Sequence, residues 1–252
     1  MIDWSLIQET AETILEKDPA ARSMLEVYLC YPGFHAVTMY RVANVFYKQE
    51  QFTLARCISQ FARMITGIEI HPGATIGRRF VIDHGMGVVI GETTVIGDDC
   101  FLYQGVTLGA GAEARQGEQT RGRKRHPTLK NEVIVGSGAE IQGDIVVGNN
   151  VRVASGSIVL KDVPDNSIVV GVPGRIIYKD GKRVDDKTPD PEAEAIKRLK
   201  QRIDSLEKSL NSLKEASPLS NQTAQADLGD ENKGDNDDDS DPVDVFLQGA
   251  GI

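Results

Sequence analysis

The stretch Leu129–Val159, LKNEVIVGSGAEIQGDIVVGNNVRVASGSIV, decides the fold because an apolar residue returns at every sixth position. Within it the apolar positions are Leu129, Val135, Ile141, Val147, Val153 and Val159. The same period holds upstream at Ile70, Ile76 and Ile82, then at Ile90, Ile96, Leu102 and Leu108. A hexapeptide period predicts a parallel β-helix, with one short strand and one corner per unit and about 18 residues per coil. The alternative, a β-sandwich with coincidental spacing, does not explain six consecutive matches.

The period is interrupted twice, and each interruption contains a histidine. Two extra residues fall between Ile82 and Ile90, in the segment Asp83-His84-Gly85-Met86-Gly87. A longer excursion from Gly109 to His126 has few apolar residues and is rich in arginine. Binding and catalytic residues concentrate in long loops on rigid scaffolds. The two interruptions therefore predict one functional site built between coils.

The segments flanking the repeat complete an α+β architecture. Residues 1–66 have helical spacing and precede the β-helix, predicted over 67–178. Residues 192–215 carry heptads with Ile196, Ile203 and Leu210 at a and Leu199, Leu206 and Leu213 at d. They predict a coiled-coil helix or, alternatively, a helix folded back on its own subunit. Residues 217–243 are expected to be a disordered acidic linker, and the more apolar 244–252 a docking peptide.

The amino-acid composition indicates in which compartment the protein resides and which kinds of partner it does not bind. The chain has 252 residues, 40% of them hydrophobic, but no apolar stretch approaches the ~20 residues of a membrane span. The start Met1-Ile2-Asp3-Trp4 does not resemble a secretory signal, and Cys30, Cys57 and Cys100 are typical of reduced thiols. Nearly all of the net charge of −9 resides in the tail, which has nine acids and one base after Ala226. We expect a cytoplasmic protein that binds neither nucleic acid nor membrane.

Several motifs in a fixed order resemble those of the serine O-acetyltransferase family. They are Asp18-Pro19-Ala20, Gly33-Phe34-His35-Ala36, Tyr40-Arg41, Glu69-Ile70-His71-Pro72, Asp83-His84, Gly91-Glu92-Thr93, Arg125-His126-Pro127, Val172-Pro173-Gly174-Arg175 and the final Gly251-Ile252. The hexapeptide repeat alone specifies only a large superfamily of acyltransferases. The resemblance implies a left-handed β-helix that transfers acetyl from acetyl-CoA to L-serine, needs no metal, and is inhibited by L-cysteine.

His84 is the candidate general base. Acetyl transfer from a thioester to an alcohol requires removal of the hydroxyl proton, for which a neutral imidazole is suited near pH 7. A carboxylate on the other ring nitrogen fixes the tautomer and stabilises the imidazolium. Glu69, nearly one coil earlier in the chain, occupies the position where the family carries such a carboxylate, often as Asp. The resemblance therefore implies a Glu69–His84 pair.

The other site residues are assigned through the same resemblance. Arg125, with His126 beside it, is expected to hold the serine carboxylate, and Asp18 and Asp83 the ammonium group. Asp18 has a second interpretation as a helix N-cap before Pro19. Coenzyme A is expected to lie along the later coils, at Gly109, Ala110, Gly111, Gly136, Ala139, Ala154 and Gly171.

The resemblance also implies protein partners. The family forms trimers with active sites between subunits, and longer members form hexamers, so a homotrimer or hexamer is expected. The heptads would then extend the trimer as a three-stranded coil. In the family the C-terminal Ile enters the active site of O-acetylserine sulfhydrylase, and Ile252 is expected to bind that enzyme.

Three alternative functions stay open on the residues alone. A hexapeptide acetyltransferase for a sugar or an aminoglycoside shares the scaffold and the base. A γ-class carbonic anhydrase would bring His71, His84 and His126 to one zinc ion. A non-enzymatic scaffold would use the coiled coil and the tail as its working parts.

Overall fold

The structure, a computed structural model, describes residues 4–111, 117–120, 122–184 and 191–216. The chain separates into two compact units, Met1–Asp186 and Lys187–Ile252. The first unit begins with helices α1 (Trp4–Lys17), α2 (Met24–Cys30), α3 (Pro32–Lys48) and α4 (Phe52–Thr66). The strands that follow are β1 (Glu69–Ile70), β2 (Thr75–Ile76), β3 (Val81–Ile82), β4 (Val89–Ile90), β5 (Val95–Ile96), β6 (Phe101–Leu102), β7 (Thr107–Gly109), β8 (Thr128–Leu129), β9 (Ile134–Val135), β10 (Glu140–Gln142), β11 (Val146–Val147), β12 (Arg152–Val153), β13 (Ile158–Val159), β14 (Ser167–Val170), β15 (Arg175–Lys179) and β16 (Lys182–Arg183).

The strands form the three faces of a prism. Face A contains β1, β4, β7, β10 and β13, and face B contains β2, β5, β8 and β11. Face C contains β3, β6, β9, β12 and β14, extended by the antiparallel strands β15 and β16. The chain passes from A to B to C in each coil, so successive coils stack as parallel strands. The corners between faces are named A/B, B/C and C/A below.

The interior of the prism confirms the hexapeptide period. The predicted interior residues from Ile70 to Val159 are all at most 5% exposed and form one continuous apolar core. Removal of this apolar surface from water is the main favourable contribution to folding. Small and β-branched residues such as Ala74, Cys100 and Val151 occupy the remaining interior space.

The strand register locates both interruptions at corners. Val89 pairs with Thr107, and Glu140 with Ile158, and in both pairs the partners are separated by one uninterrupted coil. Glu69 pairs with Val89, slightly more than one coil further on, because two extra residues widen the C/A corner. Thr107 pairs with Glu140, nearly two coil lengths further on, because the long excursion leaves the A/B corner. The scaffold therefore continues in register past both insertions.

The N-terminal helices are fixed to the β-helix by an apolar cluster and a close backbone contact. Ala11, Ile14, Val27 and Phe34 pack together with Val81 of β3. In the first turn of α3, Gly33 lies against the carbonyl of Ile82, where a Cβ would come within 1.9 Å of the oxygen. A side chain at residue 33 would therefore separate α3 from β3.

Asp18 does not cap a helix, so that interpretation is wrong. Helix α1 ends at Lys17, and α2 begins at Met24 with Ser23 as its N-cap. Asp18 lies in the connection, where its Oδ1 accepts a hydrogen bond from the Ala20 backbone N–H at 2.8 Å. The short Asp side chain stabilises a turn here instead of a helix start.

The second unit contributes helix α5 (Pro191–Ala216), which covers the predicted heptads. Its heptad residues are more than half exposed at Leu199, Ile203, Leu206, Leu210 and Leu213. Among the helices of the described ranges, none combines the length and the hydropathy that a membrane crossing needs. The predicted linker 217–243 and docking peptide 244–252, including Ile252, lie outside the described residues.

Candidate active site

His84 lies at the C/A corner between β3 and β4. Its φ of +58° is in the left-handed region, and the Gly85 that follows it is also at positive φ. The imidazole is 74% exposed, with Nε2 4.0 Å from Asp83 Oδ2. The corner rests on the segment before β1, because Gly87 N–H donates to the Gly67 carbonyl. The base candidate therefore faces out of the prism, where a substrate can reach it.

Glu69 lies near this corner but pairs with arginines of α4. Its Oε2 is 3.1 Å from Arg63 Nη1, and its Oε1 is 3.8 Å from Arg56 Nη2. Because the register places Glu69 opposite Val89, the residue is offset from His84 by part of a coil. Within the described part of the chain, the carboxylate that pairs with His84 is that of Asp83. The ion pairs of Glu69 in the structure are with these arginines, and the Glu69–His84 pair stays a prediction.

Tyr31, a residue that the sequence reasoning missed, is the hydrogen-bond partner of Asp18 and lies near enough to Asp83 for that charge to act on its phenol. Tyr31 Oη donates a hydrogen bond to Asp18 Oδ2 at 2.7 Å. This hydrogen bond, with burial and the charges of Asp18, Glu26 and Asp83, raises the pKa of Tyr31 to about 12. The phenol therefore remains a donor at neutral pH. The sequence carried no signal for this role, because a tyrosine before a helix more often packs than binds.

Arg125 lies at the A/B corner, paired with Glu92. Its guanidinium donates to Glu92 Oε2, while Glu92 Oε1 accepts from Tyr47 Oη at 2.9 Å. Burial of Glu92 favours the neutral form, but the hydrogen bonds from Arg125 and Tyr47 outweigh it, so the pKa of Glu92 is lowered. Glu92 therefore stays ionised and orients Arg125. The Gly91-Glu92-Thr93 motif was visible in the sequence, but not its contact with Arg125.

A cavity of about 710 Å³ opens beside this pair. It is lined by Tyr47, Phe52, Arg56, His71, Glu92 and Arg125, with Gly117, Glu118, Thr120 and Gly122 of the excursion. Burial, followed by the charge of Arg56, lowers the pKa of His71, whose Nδ1 accepts from Gly73 N–H at 3.0 Å. The guanidinium groups of Arg56 and Arg125 are able to donate to a carboxylate, although Glu92 and Glu118 balance their charge in the lining.

His126 is buried and fixes the end of the excursion onto the A/B corner. Its ring lies over Gly91, where a Cβ would come within 2.0 Å of the ring. Its Nδ1 accepts from the Thr93 backbone N–H at 3.2 Å and lies 2.9 Å from Thr93 Oγ1. Burial, with the charges of Arg125 and Lys124, lowers the pKa of His126 to about 4. The ring is therefore neutral at pH 7 and acts as an acceptor at Nδ1.

We expect His126 to make the protein less stable as the pH falls from about 6.5 to 4. Between these pH values the unfolded chain binds a proton at this histidine and the folded chain does not. The contribution of His126 to the free energy of unfolding therefore falls by about 2 kcal/mol between pH 7 and pH 5. Urea unfolding at the two pH values measures this difference. In His126→Gln the difference should be smaller by that amount, and an equal pH dependence in both proteins contradicts the prediction.

The candidates for coenzyme A binding divide between the same two corners. Gly136, Ala154 and Gly171 follow face C strands at the C/A corner, whereas Gly109 ends β7 and is followed by Ala110 and Gly111 at the A/B corner. All of these are partly exposed. Ala139 is completely buried, contrary to the prediction, because it occupies an interior position of the prism.

The site residues thus form two groups at opposite edges of face A. The His84 edge comprises Asp18, Tyr31, Asp83, His84, Gly136, Ala154 and Gly171. The Arg125 edge comprises Glu92, Arg125, His126, Gly109, Ala110 and Gly111. Because face A separates the two corners, the two interruptions lie apart within one chain, and a single site that includes both stays a prediction. Within the described ranges, no group of three or more His, Cys, Asp or Glu side chains could hold a metal ion.

The β-helix, its exposed corner histidine and its glycine edges define a hexapeptide-repeat acyltransferase. No protein-family model matches the chain. The serine acetyltransferase of Synechococcus elongatus is 52% identical over 204 residues, which are 79% of this chain and 81% of that protein. The chain therefore belongs to the serine acetyltransferase family.

Solved structures of the family agree with this assignment. The serine acetyltransferase of Brucella abortus in complex with coenzyme A has a TM-score of 0.65 and 36% identity, covering 70% of this chain and 68% of that one. Isoform 3 of Entamoeba histolytica in complex with cysteine has a TM-score of 0.61 and 35% identity, covering 73% of this chain and 61% of that one. The predicted helical N-terminal part, left-handed β-helix and C-terminal helix are confirmed. These likenesses do not support the sugar acetyltransferase, carbonic anhydrase or scaffold alternatives.

Proposed function

We propose that the chain transfers the acetyl group of acetyl-CoA to the hydroxyl of L-serine, giving O-acetyl-L-serine and CoA. The observation that carries this proposal is the exposed His84 beside Asp83, on the scaffold of this family. The bound coenzyme A of the Brucella relative supports acetyl-CoA as the donor. The free cysteines Cys30, Cys57 and Cys100 fit a reducing compartment, and we propose the cytoplasm.

His84 removes the proton from the serine Oγ as that oxygen attacks the acetyl carbonyl carbon. When the tetrahedral intermediate collapses, the C–S bond breaks and the CoA thiolate receives the proton from the imidazolium. Asp83, 4.0 Å from His84 Nε2, stabilises the imidazolium between these transfers. The described residues show no serine or cysteine hydrogen-bonded to His84, so direct attack by the substrate is the simpler route.

The substrate amino acid is proposed to lie between the two edges. Arg125, oriented by Glu92, holds its carboxylate, and Asp18 with Asp83 holds its ammonium group. His126 contributes by keeping Arg125 at the A/B corner. The pantetheine arm of acetyl-CoA lies along the glycine edges, where missing side chains allow close approach to the backbone.

We further propose a homotrimer, or a pair of trimers, in which the His84 edge of one subunit meets the Arg125 edge of the next. Such an arrangement brings together the two groups that one chain keeps apart. Exposed Met64, Ile65 and Met86 form an apolar surface near His84 that a neighbouring subunit would cover. The heptads of α5 add a further surface for association of three copies. A light-scattering mass of three or six chains agrees with this assembly, and a stable dimer contradicts it.

The reaction is tested by release of free thiol from acetyl-CoA in the presence of different alcohols. We expect release that depends on L-serine, with mass spectrometry identifying O-acetyl-L-serine. Thiol release that is independent of serine, or faster with an amino sugar or an aminoglycoside, contradicts the proposed function.

L-Cysteine is expected to inhibit competitively with serine. It has the same carboxylate and ammonium groups, and a cysteine-bound relative is known from Entamoeba histolytica. Arg125→Met should weaken cysteine inhibition and raise the serine KM by similar factors, because both ligands lose the same partner. Arg152→Met, on exposed face C, is the control. Undiminished cysteine inhibition in Arg125→Met indicates a separate inhibitor site.

Deletion of Ile252 is expected to abolish binding of O-acetylserine sulfhydrylase and to leave the acetyltransferase kcat nearly unchanged. An apolar side chain next to a free carboxylate imitates an amino-acid substrate, and the preceding glycines allow entry into a cleft. Titration calorimetry with the sulfhydrylase measures the affinity. Ile252→Leu should retain part of the binding, whereas unchanged affinity after the deletion contradicts the proposal.

A further inference from the structure

We propose that Tyr31 is a positioning residue for the amino group of the substrate, acting through the carboxylate of Asp18. The inference rests on the proposed function, because Asp18 is assigned there to the ammonium group. Tyr31 itself has no assigned role in that reaction. The observation behind the inference is the hydrogen bond that the phenol of Tyr31 donates to the carboxylate of Asp18.

The hydrogen bonds of Asp18 fix the orientation of its carboxylate. Tyr31 Oη donates to Oδ2 at 2.7 Å, and the Ala20 backbone N–H donates to Oδ1 at 2.8 Å. Each oxygen therefore has one donor that belongs to the protein. An ionised carboxylate accepts more than two hydrogen bonds, so each oxygen retains a lone pair for a substrate ammonium.

Tyr31 is held rigidly by the helices on either side. It is the C-cap of α2, where its N–H donates to Val27, and the N-cap of α3, where its carbonyl accepts from His35 N–H. Its ring packs against the apolar cluster that joins the helices to β3. The contact of Gly33 with Ile82 then fixes this frame next to Asp83. Tyr31 thus connects Asp18, in the α1–α2 connection, to the corner that carries His84.

A phenol is better suited to this position than a cationic side chain. A lysine or arginine would also orient the carboxylate, but its charge would cancel the attraction for the substrate ammonium. The hydroxyl donates one hydrogen bond and leaves the negative charge of Asp18 intact. The elevated pKa of Tyr31 keeps the proton on the phenol throughout the working range. Tyr31 therefore affects recognition of the amino group and not the proton transfer at His84.

The test compares Tyr31→Phe with the matched control Tyr28→Phe, whose ring packs on Phe34 at a centroid distance of 5.3 Å. Tyr31→Phe should raise the serine KM about tenfold, at the lower end for a hydrogen bond to a charged group, because the pair is partly exposed. The kcat and the acetyl-CoA KM should stay within about twofold of wild type. The inhibition constant of 3-hydroxypropionate, which lacks the amino group, should not change. Tyr28→Phe should behave as wild type throughout.

A double-mutant cycle with Asp18→Asn connects the effect to the carboxylate. If Tyr31 acts through Asp18, adding Tyr31→Phe to Asp18→Asn should raise the serine KM no further. Additive effects, an unchanged serine KM in Tyr31→Phe, or equal loss of affinity for 3-hydroxypropionate each overturn the inference. A wild-type protein that does not acetylate serine overturns the proposed function as well. An unchanged serine KM in Asp18→Asn overturns the role of Asp18, and with it that of Tyr31.

Discussion

Replacement of His84 by Asn is expected to lower kcat by about 10²–10⁴-fold, the usual contribution of a general base. Asn disturbs the backbone less than Ala would, because residue 84 has a φ of +58°, a conformation that Asn tolerates better than most residues. The side chain is largely exposed, so the melting temperature should hardly change. Loss of activity in this variant therefore reports on proton transfer and not on folding.

Glu132→Asn is the matched control for this substitution. Glu132 is exposed, has a φ of +60° and lies at the B/C corner, away from both edges of face A. It should retain wild-type kcat. Steady-state thiol release at saturating acetyl-CoA and serine gives kcat for both variants. Near-normal turnover in His84→Asn, or an acetylated enzyme trapped with labelled acetyl-CoA, contradicts base catalysis by direct attack.

Two variants with low kcat/KM for serine are expected to restore activity when their subunits are mixed. Arg125→Met removes the carboxylate partner from one edge of face A, and His84→Asn removes the base from the other. In randomly mixed trimers, about a quarter of the subunit contacts unite an intact His84 edge with an intact Arg125 edge. Co-refolding equal amounts should therefore recover about a quarter of the wild-type kcat/KM for serine.

The mixing experiment also decides whether the site lies between subunits. A site within one chain gives no recovery, because every chain in the mixture is defective. The control mixes His84→Asn with the double variant His84→Asn/Arg125→Met, which contains no intact His84 edge and should stay inactive. Size-exclusion chromatography confirms that the mixed chains assemble. Absence of recovery in properly assembled mixtures contradicts the shared site.

Much of the scaffold was predictable because its information is local. The six-residue period predicts which side chains face the interior, from Ile70 through Leu129 to Val159, and each of these side chains is buried. The two departures from the period located His84 and Arg125 at corners without any knowledge of the fold. Corner residues need particular backbone geometry, which is why His84 is at positive φ beside two glycines.

The partners of the site residues were less predictable because they come from distant parts of the chain. Glu69 was expected to hold His84, but α4 brings Arg63 and Arg56 to its carboxylate. His126 was expected at the substrate, but it is buried against Gly91 and Thr93. Asp18 was assigned as a possible helix cap, and its partner Tyr31 went unnoticed. Each contact depends on how a helix or a loop docks on the prism, which no repeat period encodes.

The sequence by itself therefore determined the β-helix, the position of its interruptions and the residue types at its corners. These features follow from backbone geometry and from the alternation of apolar and polar side chains within a coil. Only the tertiary structure decided that His84 and Arg125 lie at opposite edges of face A, that Glu92 pairs with Arg125, and that Tyr31 donates a hydrogen bond to Asp18. The physical reason is that hydrogen bonds and ion pairs act over a few ångströms in space, whereas these partners lie far apart along the chain.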